Sequence, residues 1–305
     1  MNNANESQVC DAKSATLEIT KNKTTKKENT KHKTTDETTA TKAIEQVKAA
    51  RAKGRRTGKQ YIDALITDFI ELHGDRKFAD DPAVVGGVGR IGDLPVTVIA
   101  LEKGKDTKEK IHRNFGSSNP EGYRKSLRLM RQAEKFNRPI ICFVDTAGAF
   151  CGIGAEERGQ GQAIAENILE MMALKIPIMS ILIGEGGSGG ALALATADRV
   201  WMLEKAIYSV ISPEGCASIL WKDTKKVADA AECLKLTAQD MFELGVVERV
   251  IPEGGSGTKN GSGKGITMIK LKEEINVELK MLRNMEENER LEARYQRFRK
   301  FGAEV

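Results

Sequence analysis

The residues of this chain best suited to chemistry are the glycines of Gly184–Gly190, which fill five of seven positions. They follow an apolar run, Ile176–Ile183, and precede a stretch of small residues, Ala191–Ala197. Glycine permits positive φ and lets a backbone approach a ligand closely. The first N–H groups of a helix lack partners within it and favour negative charge. The segment therefore predicts a strand-to-helix turn that presents donors to an oxyanion or a phosphate.

One interpretation of this turn is a dinucleotide-binding motif. Gly184, Gly186 and Gly189 fit the pattern G-x-G-x-x-G, and Glu204 follows at the end of the next predicted strand. The predicted helix, of about two turns, is short for such a motif. Another strand–helix unit also precedes it in the chain.

A second interpretation is a nucleophile elbow, because Gly186, Ser188 and Gly190 fit G-x-S-x-G. That arrangement needs a histidine after the serine, and the last histidine is His112. The order His112, Asp145, Ser188 matches a chymotrypsin-type triad, but His112 lies in a basic loop. Serine hydrolysis is therefore disfavoured.

A third interpretation is an oxyanion hole formed by the backbone N–H groups of Gly189 and Gly190. Each such donor contributes about 2.7–4 kcal/mol to stabilising a transition state. This site needs no side-chain nucleophile, which suits a chain with only three histidines. A tight turn with a packing role alone would not require five glycines.

The surrounding sequence predicts a layered α/β fold. Val84–Arg90 and Pro95–Leu101 are predicted strands around the turn Gly92-Asp93. Pro139–Val144 is a buried strand and Arg199–Leu203 another, so strand, turn, helix and strand succeed one another as in a parallel sheet. Further helices are predicted at four segments: Ala43–Ala52, Tyr61–Leu72, Pro120–Asn137 and Ala155–Ala173.

Charged residues near the predicted strand ends are candidate binding residues. A basic loop, Lys103–Arg113, could contact phosphate groups or an acidic partner, or could simply lie in solvent. Glu156 opens a predicted helix, and Arg158 could pair with a carboxylate of a ligand or with Glu185. The basic residues that we single out are Lys103, Lys105, Lys110 and Arg113.

Composition narrows the function classes. The chain has 305 residues, of which 40% are hydrophobic and 30% charged, and it has no apolar leader, so we expect a cytosolic globular protein. Five scattered cysteines without a CxxC pair argue against a disulfide framework and a metal site.

The charge is distributed unevenly along the chain. Residues 1–60 hold 14 Lys/Arg and 7 Asp/Glu, whereas the rest holds 34 Lys/Arg and 36 Asp/Glu. The basic excess is thus confined to one end, which argues against nucleic-acid binding by the folded part, and no apolar stretch is long enough for a membrane span.

The chain divides into four predicted regions. Residues 1–42 are a Lys/Thr-rich tail, which we expect to be disordered because it has few apolar residues. Residues 43–252 form the globular domain, 253–265 a Gly/Ser linker and 266–305 a charged helix.

Several long motifs, in order, resemble the alpha subunits of acetyl-CoA carboxylase carboxyltransferase. The resemblance covers residues from about 56 to 252. The segments that carry it are His73–Arg76, Lys103–Gly116, Pro120–Leu129, Asp145–Gly152, Gly154–Gln160, Gly184–Ala191 and Tyr208–Trp221.

This resemblance implies a crotonase-like fold, a spiral of repeated β-β-α units with surrounding helices. It implies transfer of a carboxyl group from carboxybiotin, on a separate biotin carboxyl carrier protein, to acetyl-CoA, giving malonyl-CoA for fatty acid synthesis. The biotin nitrogen would take the methyl proton. The implied partners are a beta subunit with a zinc ribbon and a biotin carboxylase that consumes ATP. No metal is implied in the alpha subunit.

The resemblance also implies roles for individual residues. Gly189 and Gly190 would stabilise the ureido oxygen of biotin, and the basic loop could contact coenzyme A or the carrier. The implied contacts to substrate or carboxybiotin are Gly148, Gly187, Ser188, Glu156, Arg158 and Gly215. Relatives usually read D-T-P-G-A-Y-P-G where Asp145–Gly152 reads D-T-A-G-A-F-C-G, and the loss of two prolines should loosen this loop.

Two alternatives remain at this point. A stand-alone crotonase-type hydratase or decarboxylase acting on an acyl-CoA would use the same oxyanion hole. A dinucleotide-binding module without catalytic activity would use the glycine turn for phosphates instead.

Overall fold

The computed structural model describes residues 36–254 and 265–302 of the chain, and the side chains of 36–42 are not described. The predicted tail therefore lies outside the described residues up to residue 35. Most of the predicted Gly/Ser linker, residues 255–264, also lies outside them.

One sheet of eight strands organises the described residues. Its order is β1-β2-β3-β4-β5-β6-β8, and β7 pairs with β5 off this path. Antiparallel pairing joins β1, β2 and β3, and parallel pairing joins the rest. The strands are β1 Thr67–Glu71, β2 Val84–Ile91, β3 Leu94–Leu101, β4 Ile140–Thr146, β5 Ile178–Gly187, β6 Arg199–Leu203, β7 Ile207–Ser209 and β8 Arg249–Ile251.

The predicted strands are present. Gly92, at φ 60°, and Asp93 close the β2–β3 hairpin, in which Ile91 pairs with Leu94. Every residue of β4 is buried, as is all of β5 up to Gly186. These strands lie in the middle of the sheet, where both faces are covered, so continuous apolar sequence is the expected pattern.

Strand β5 is longer than predicted and has two neighbours on one side. Its first half pairs with β6, whereas Glu185, Gly186 and Gly187 pair with β7. Gly186 and Gly187 are thus backbone members of the sheet, and helix α7, which contains Gly189 and Gly190, begins immediately after them at Ser188.

Helices surround this sheet, and in the described residues several differ from their predicted bounds. Gly159, at φ 81°, divides the predicted helix Ala155–Ala173 into α5 and α6, and the basic loop contains a short helix, α3. The helices are α1 Asp36–Ala50, α2 Gly58–Leu65, α3 Thr107–His112, α4 Pro120–Lys135, α5 Ile153–Glu157, α6 Gln160–Ala173, α7 Ser188–Ala195, α8 Pro213–Leu220, α9 Val227–Cys233, α10 Ala238–Glu243, α11 Met268–Asn284 and α12 Glu287–Arg299.

The prediction of one helix over Tyr61–Leu72 is wrong in its second half. Helix α2 ends at Leu65, and the following residues form β1, where Ile70 pairs with Val88. Backbone pairing with the edge of β2 outweighs the helical spacing of the apolar residues.

The charged C-terminal segment forms two helices: α11 packs against α2, and α12 packs against α6. Arg294 of α12 is buried, and its guanidinium binds both carboxylate oxygens of Asp198 at 2.8 and 2.9 Å. It also donates to the carbonyl oxygens of Met171, Leu174 and Ile176. This charge is therefore fully paired, as a buried charge must be.

None of the helices in residues 36–254 and 265–302 has the length and apolar character needed to cross a membrane.

Candidate active site

The glycine turn leaves several backbone donors without partners. Helix α7 begins at Ser188, whose φ is 52°, and its N-cap residue Gly187 has no side chain to satisfy the first turn. In the described parts of the chain, no side chain or loop carbonyl accepts a hydrogen bond from the N–H of Gly189 or Gly190. These N–H groups belong to the first turn, which has no acceptors within the helix. The turn therefore presents donors in the field of a helix N-terminus.

The loop after β4 lies directly against this turn. A Cβ on Gly190 would lie 2.5 Å from the backbone nitrogen of Ala149, and a Cβ on Gly187 would overlap the carbonyl group of Ala147. A Cβ on Gly189 would meet only the Ile164 side chain, at 3.4 Å. Glycine is thus required at Gly187 and Gly190 because two backbone segments touch there.

Ala149 supplies a further donor that sequence reasoning missed. The N–H of Gly148 donates to Thr146 Oγ1 at 3.1 Å, and that of Phe150 donates to the Ser118 carbonyl at 3.0 Å. Between them, the N–H of Ala149 has no acceptor in the described residues. An alanine backbone donor has no signature in residue type, so only the packing of the loop against Gly190 identifies it.

Hydrogen bonds hold this loop, although Asp145–Gly152 contains no proline. Gln160 Nε2 donates at 2.8 Å to the carbonyl oxygens of Ser118 and Phe150. The Thr146 hydroxyl donates to the Gly148 carbonyl at 2.8 Å. Gly148 has a φ of 153°, and no atom lies within 4 Å of the position where its Cβ would be. The loop therefore leaves open space at Gly148 beside the turn.

Tyr123 is a second residue that the sequence did not reveal. It is fully buried on α4, and its hydroxyl donates to the carbonyl oxygen of Gly190 at 3.3 Å. Burial raises the pKa of this phenol, so it remains a neutral donor. This hydrogen bond attaches the first turn of α7 to α4.

A chain of alternating charges links the strand ends beneath the turn. Lys103 Nζ lies 2.8 Å from Asp145 Oδ1 and 2.7 Å from Glu185 Oε1. Arg51, just after α1, lies 2.7 Å from Glu185 and 2.6 Å from Glu214 of α8. The N–H of Glu185 also donates to Asp145 Oδ1 at 2.8 Å.

These contacts keep Glu185 and Lys103 in their charged forms. Burial would raise the pKa of Glu185, but Lys103 and Arg51 outweigh it and hold that pKa below its usual value. Burial would lower the pKa of Lys103, but Asp145 and Glu185 raise it. The network is therefore a set of fixed charges, and Lys103 belongs to it and is not free to contact a ligand phosphate.

The other basic-loop residues differ in their surroundings. Arg113 donates to the Pro82 carbonyl at 2.7 Å, whereas Lys105 is exposed and lies 3.5 Å from Glu109. Lys110 has no carboxylate partner in the described residues and lines a cavity with Lys105.

The other predicted site residues, Arg158, Glu156 and Gly215, lie on elements outside the glycine turn. Arg158 pairs with Glu121 at 2.9 Å, and not with Glu185 as one alternative had it. Glu156 is exposed at α5. The N–H of Gly215 donates to the Ser212 hydroxyl at 3.1 Å within the cap of α8, so it is not available to a ligand.

An apolar cavity of about 400 Å³ adjoins the turn on the side of Ser188 and Gly189. It follows one face of α7 and is bounded by α12. Its other lining residues are Leu192, Ala195, Val200, Tyr208, Ser209, Val210, Leu234, Met241, Val246, Arg297, Phe298 and Phe301.

The geometry disfavours the two other interpretations of the turn. Asp145 binds Lys103, and neither His112 nor the hydroxyl of Ser188 makes a side-chain hydrogen bond within the described residues. No triad is therefore assembled. Glu204, the acidic residue of the dinucleotide pattern, accepts from the N–H of Glu253 at 2.9 Å.

Comparison with known proteins identifies the family of the chain. The family described as acetyl co-enzyme A carboxylase carboxyltransferase-like matches residues 2–302. An acetyl-coenzyme A carboxylase carboxyl transferase subunit alpha from Ruminiclostridium cellulolyticum is 70% identical over 213 residues, which cover 70% of this chain and 82% of the relative. The subunit of the same name from Clostridium botulinum is 59% identical over 258 residues, 85% of this chain and 93% of that one.

Solved structures show the same fold at low sequence identity. A transcarboxylase 12S structure matches with a TM-score of 0.63 at 16% identity, covering 81% of this chain and 45% of that chain. The geranyl-CoA carboxylase beta subunit of P. aeruginosa matches with a TM-score of 0.58 at 14% identity, covering 75% and 42%. The predicted crotonase-like α/β fold is confirmed. The chain belongs to the family of acetyl-coenzyme A carboxylase carboxyltransferase alpha subunits and is a carboxyltransferase.

Proposed function

We propose that the chain transfers a carboxyl group from carboxybiotin, held on a carrier protein, to acetyl-CoA, which gives malonyl-CoA. The observation that carries the proposal is the pair of unpaired N–H groups at Gly189 and Gly190, with that of Ala149 beside them. Close relatives carry the name of this subunit. We further propose a beta subunit with a zinc ribbon and a biotin carboxylase as partners, in the cytoplasm, for fatty acid synthesis.

The unpaired donors suit the chemistry of carboxybiotin. When bound, carboxybiotin supplies the carboxyl group, and its ureido oxygen gains negative charge as that group leaves. The N–H groups of Gly189 and Gly190 would hold this oxygen, and the helix dipole of α7 would favour the charge. Preorganised donors of this kind cost no reorganisation during the reaction. No side chain of the glycine turn is required as a base.

The neighbouring segments shape the rest of the proposed site. Gly187 and Gly148 mark the contact between the turn and the β4 loop, and the hydroxyl of Ser188 is exposed beside them. We propose that these three residues contact the biotin ring. Glu156 is exposed on α5 and has no side-chain partner in the described residues, and we propose that it also contacts the ligand.

Arg158 and Gly215 have a more indirect part in this proposal. Arg158 is committed to Glu121, and the N–H of Gly215 is committed to Ser212. We propose that they fix the walls of the site by these contacts.

The test is the activity of the chain co-expressed with a zinc-ribbon beta partner. The purified pair should form malonyl-CoA from carboxybiotin and acetyl-CoA. Gly190→Ala places a Cβ against Ala149 and should reduce kcat by about 10²–10³. Gly161→Ala is the matched control, because no atom lies within 4 Å of its added Cβ, and it should retain activity.

Two results would contradict the proposal. Full activity of Gly190→Ala would refute the oxyanion hole. Turnover of an acyl-CoA by the isolated chain, without any partner or carboxybiotin, would favour a stand-alone hydratase or decarboxylase.

A further inference from the structure

The Tyr123 side chain places one hydroxyl group in a fully buried position next to the glycine turn. Its only hydrogen-bond partner in the described residues is the carbonyl oxygen of Gly190, at 3.3 Å. The ring forms a small apolar cluster with Ala163 and Ala193, and Ala149 packs against this cluster. A phenylalanine would fill the same space without burying a polar group, and a buried hydroxyl costs free energy that only a hydrogen bond offsets. The hydroxyl is therefore committed to the turn.

Helix α7 does not need this hydrogen bond to satisfy its own backbone. In an α-helix the carbonyl of Gly190 accepts from the N–H group four residues on, that of Leu194. The carbonyls without such partners belong to the last turn, where Ser180 Oγ of β5 donates to the Leu194 carbonyl at 2.6 Å. The bond from Ser180 thus completes the end of the helix, whereas Tyr123 adds a second donor to a carbonyl at its start.

The helix that carries Tyr123 is itself held firmly. The buried carboxylate of Asp81 accepts from Ser118 Oγ at 3.0 Å and from the N–H of Asn119 at 2.6 Å, directly before α4 begins. The ammonium group of Lys125 is fully buried and donates to the carbonyl of the first residue of β2 at 2.7 Å. Supporting residues that are fixed in this way hold functional groups within small tolerances. The Tyr123 hydroxyl is therefore a fixed point of attachment for the start of α7.

The turn and the β4 loop meet at this point of attachment. A Cβ on Gly190 would lie 2.5 Å from the backbone nitrogen of Ala149 and 2.9 Å from the Tyr123 hydroxyl oxygen. Tyr123 thus binds the backbone of Gly190 through its hydroxyl and belongs to the cluster against which Ala149 packs. A misplacement of about 1 Å in a preorganised site can lower a rate by about 10². A residue that fixes these two segments together can therefore control the rate without touching a ligand.

We propose that Tyr123 is a positioning residue, which fixes the N–H group of Gly190 relative to that of Ala149 and so sets the geometry of the oxyanion hole. Its effect on turnover rests on the proposed function. Because Tyr123 is fully buried, it acts through the backbone of Gly190 and not on a substrate. Loss of its hydroxyl should lower kcat and leave KM nearly unchanged, as when an interaction made only in the transition state is weakened.

The test compares Tyr123→Phe with two control variants, each in the full-length chain co-expressed with the beta partner. Tyr123→Phe keeps the ring and removes only the hydroxyl. Tyr61→Phe removes the hydroxyl of another buried tyrosine, which stacks on Phe143 and has no hydrogen-bond partner in the described residues. Ser180→Ala removes the shorter hydrogen bond to the other end of α7.

Three quantities are measured for each variant. They are kcat and KM for malonyl-CoA formation, the melting temperature, and the deuterium uptake of the peptide that contains α7. Tyr123→Phe is also combined with Gly190→Ala, because two changes that act through the same backbone contact should not add.

Tyr123→Phe should lower kcat about tenfold or more, keep KM for both substrates within about twofold, and increase the deuterium uptake of α7. Ser180→Ala should show the opposite balance, a lower melting temperature with kcat retained. Tyr61→Phe should change neither kcat nor the uptake of α7. In the Gly190→Ala background, Tyr123→Phe should cause no further loss of activity.

Three outcomes would overturn the proposal. They are full kcat in Tyr123→Phe, unchanged deuterium uptake of α7 in that variant, and losses of kcat that multiply in the double variant, as a general loss of folded protein would produce.

The deuterium uptake needs no turnover, so it separates this inference from the proposed function. An inactive unmodified pair, with raised uptake of α7 in Tyr123→Phe, refutes the carboxyltransferase proposal alone. An active unmodified pair, with full activity in Tyr123→Phe, refutes only the positioning role.

Discussion

Replacing Lys103 with methionine tests the charge network beneath the glycine turn. Methionine keeps the length of the side chain but removes the ammonium group, which lies 2.8 Å from Asp145 and 2.7 Å from Glu185. The Lys103 side chain is 18% exposed and the two carboxylates 10% each. The substitution thus leaves the nearly buried Asp145 without its cation and leaves Glu185 with Arg51 alone.

The expected loss of stability follows from that geometry. Removing one partner of a buried ion pair typically costs about 3–5 kcal/mol in the free energy of unfolding. Arg51 still contacts Glu185 in the variant, so we expect the lower end, about 3 kcal/mol. Lys103→Arg keeps the positive charge and should lose clearly less.

The loss should also depend on pH. The network holds the folded-state pKa of Glu185 below its usual value of 4.5. Its stabilising effect is therefore fully present above pH 4.5 and is lost as the pH falls through the lower folded-state pKa. The difference in stability between the unmodified chain and Lys103→Met should accordingly shrink in acid.

Urea denaturation of the unmodified chain and both variants, at neutral pH and again below pH 4.5, measures these differences. The reasoning is refuted if Lys103→Met is as stable as the unmodified chain at neutral pH. A loss of the same size in Lys103→Arg, or a difference that does not change with pH, would also refute it.

Three further predictions concern other parts of the molecule. Arg294→Met should lower the free energy of unfolding by about 3–5 kcal/mol in urea denaturation, and unchanged stability would show that α12 does not need this ion pair. Burial raises the pKa of the Cys142 thiol to about 12, so iodoacetamide should modify the exposed Cys151 and not Cys142 in the native chain, as mass spectrometry of peptides would reveal. Gly187→Ala should lower the melting temperature because its Cβ overlaps the backbone carbonyl of Ala147. The control Gly161→Ala, on the exposed face of α6, should stabilise the chain by about 0.5–1 kcal/mol. Equal changes in melting temperature for the two variants would contradict the backbone contact at Gly187.

The sequence was sufficient where local patterns determine structure. The hairpin turn at Gly92-Asp93 and the apolar runs of β4 and β5 predicted the centre of the sheet. The five glycines of Gly184–Gly190 predicted the strand-to-helix turn, because glycine permits the positive φ and the close backbone approach that such a turn requires.

The sequence was insufficient where distant residues meet. The helical spacing in Tyr61–Leu72 hid the strand β1, which exists because β2 offers an edge. Arg158 was given the wrong alternative partner, since nothing in the sequence places Glu121 of α4 beside it. Lys103 resembled a free basic-loop residue, and only the fold brings it between two carboxylates.

The most direct test is a crystal structure of the chain with its beta partner and bound biotin. The measurement is the distance from the ureido oxygen of biotin to the backbone nitrogens of Gly189 and Gly190. We expect about 2.7–3.1 Å to each nitrogen. A ureido oxygen held by side chains elsewhere, with both N–H groups bonded to the protein itself, would contradict the account.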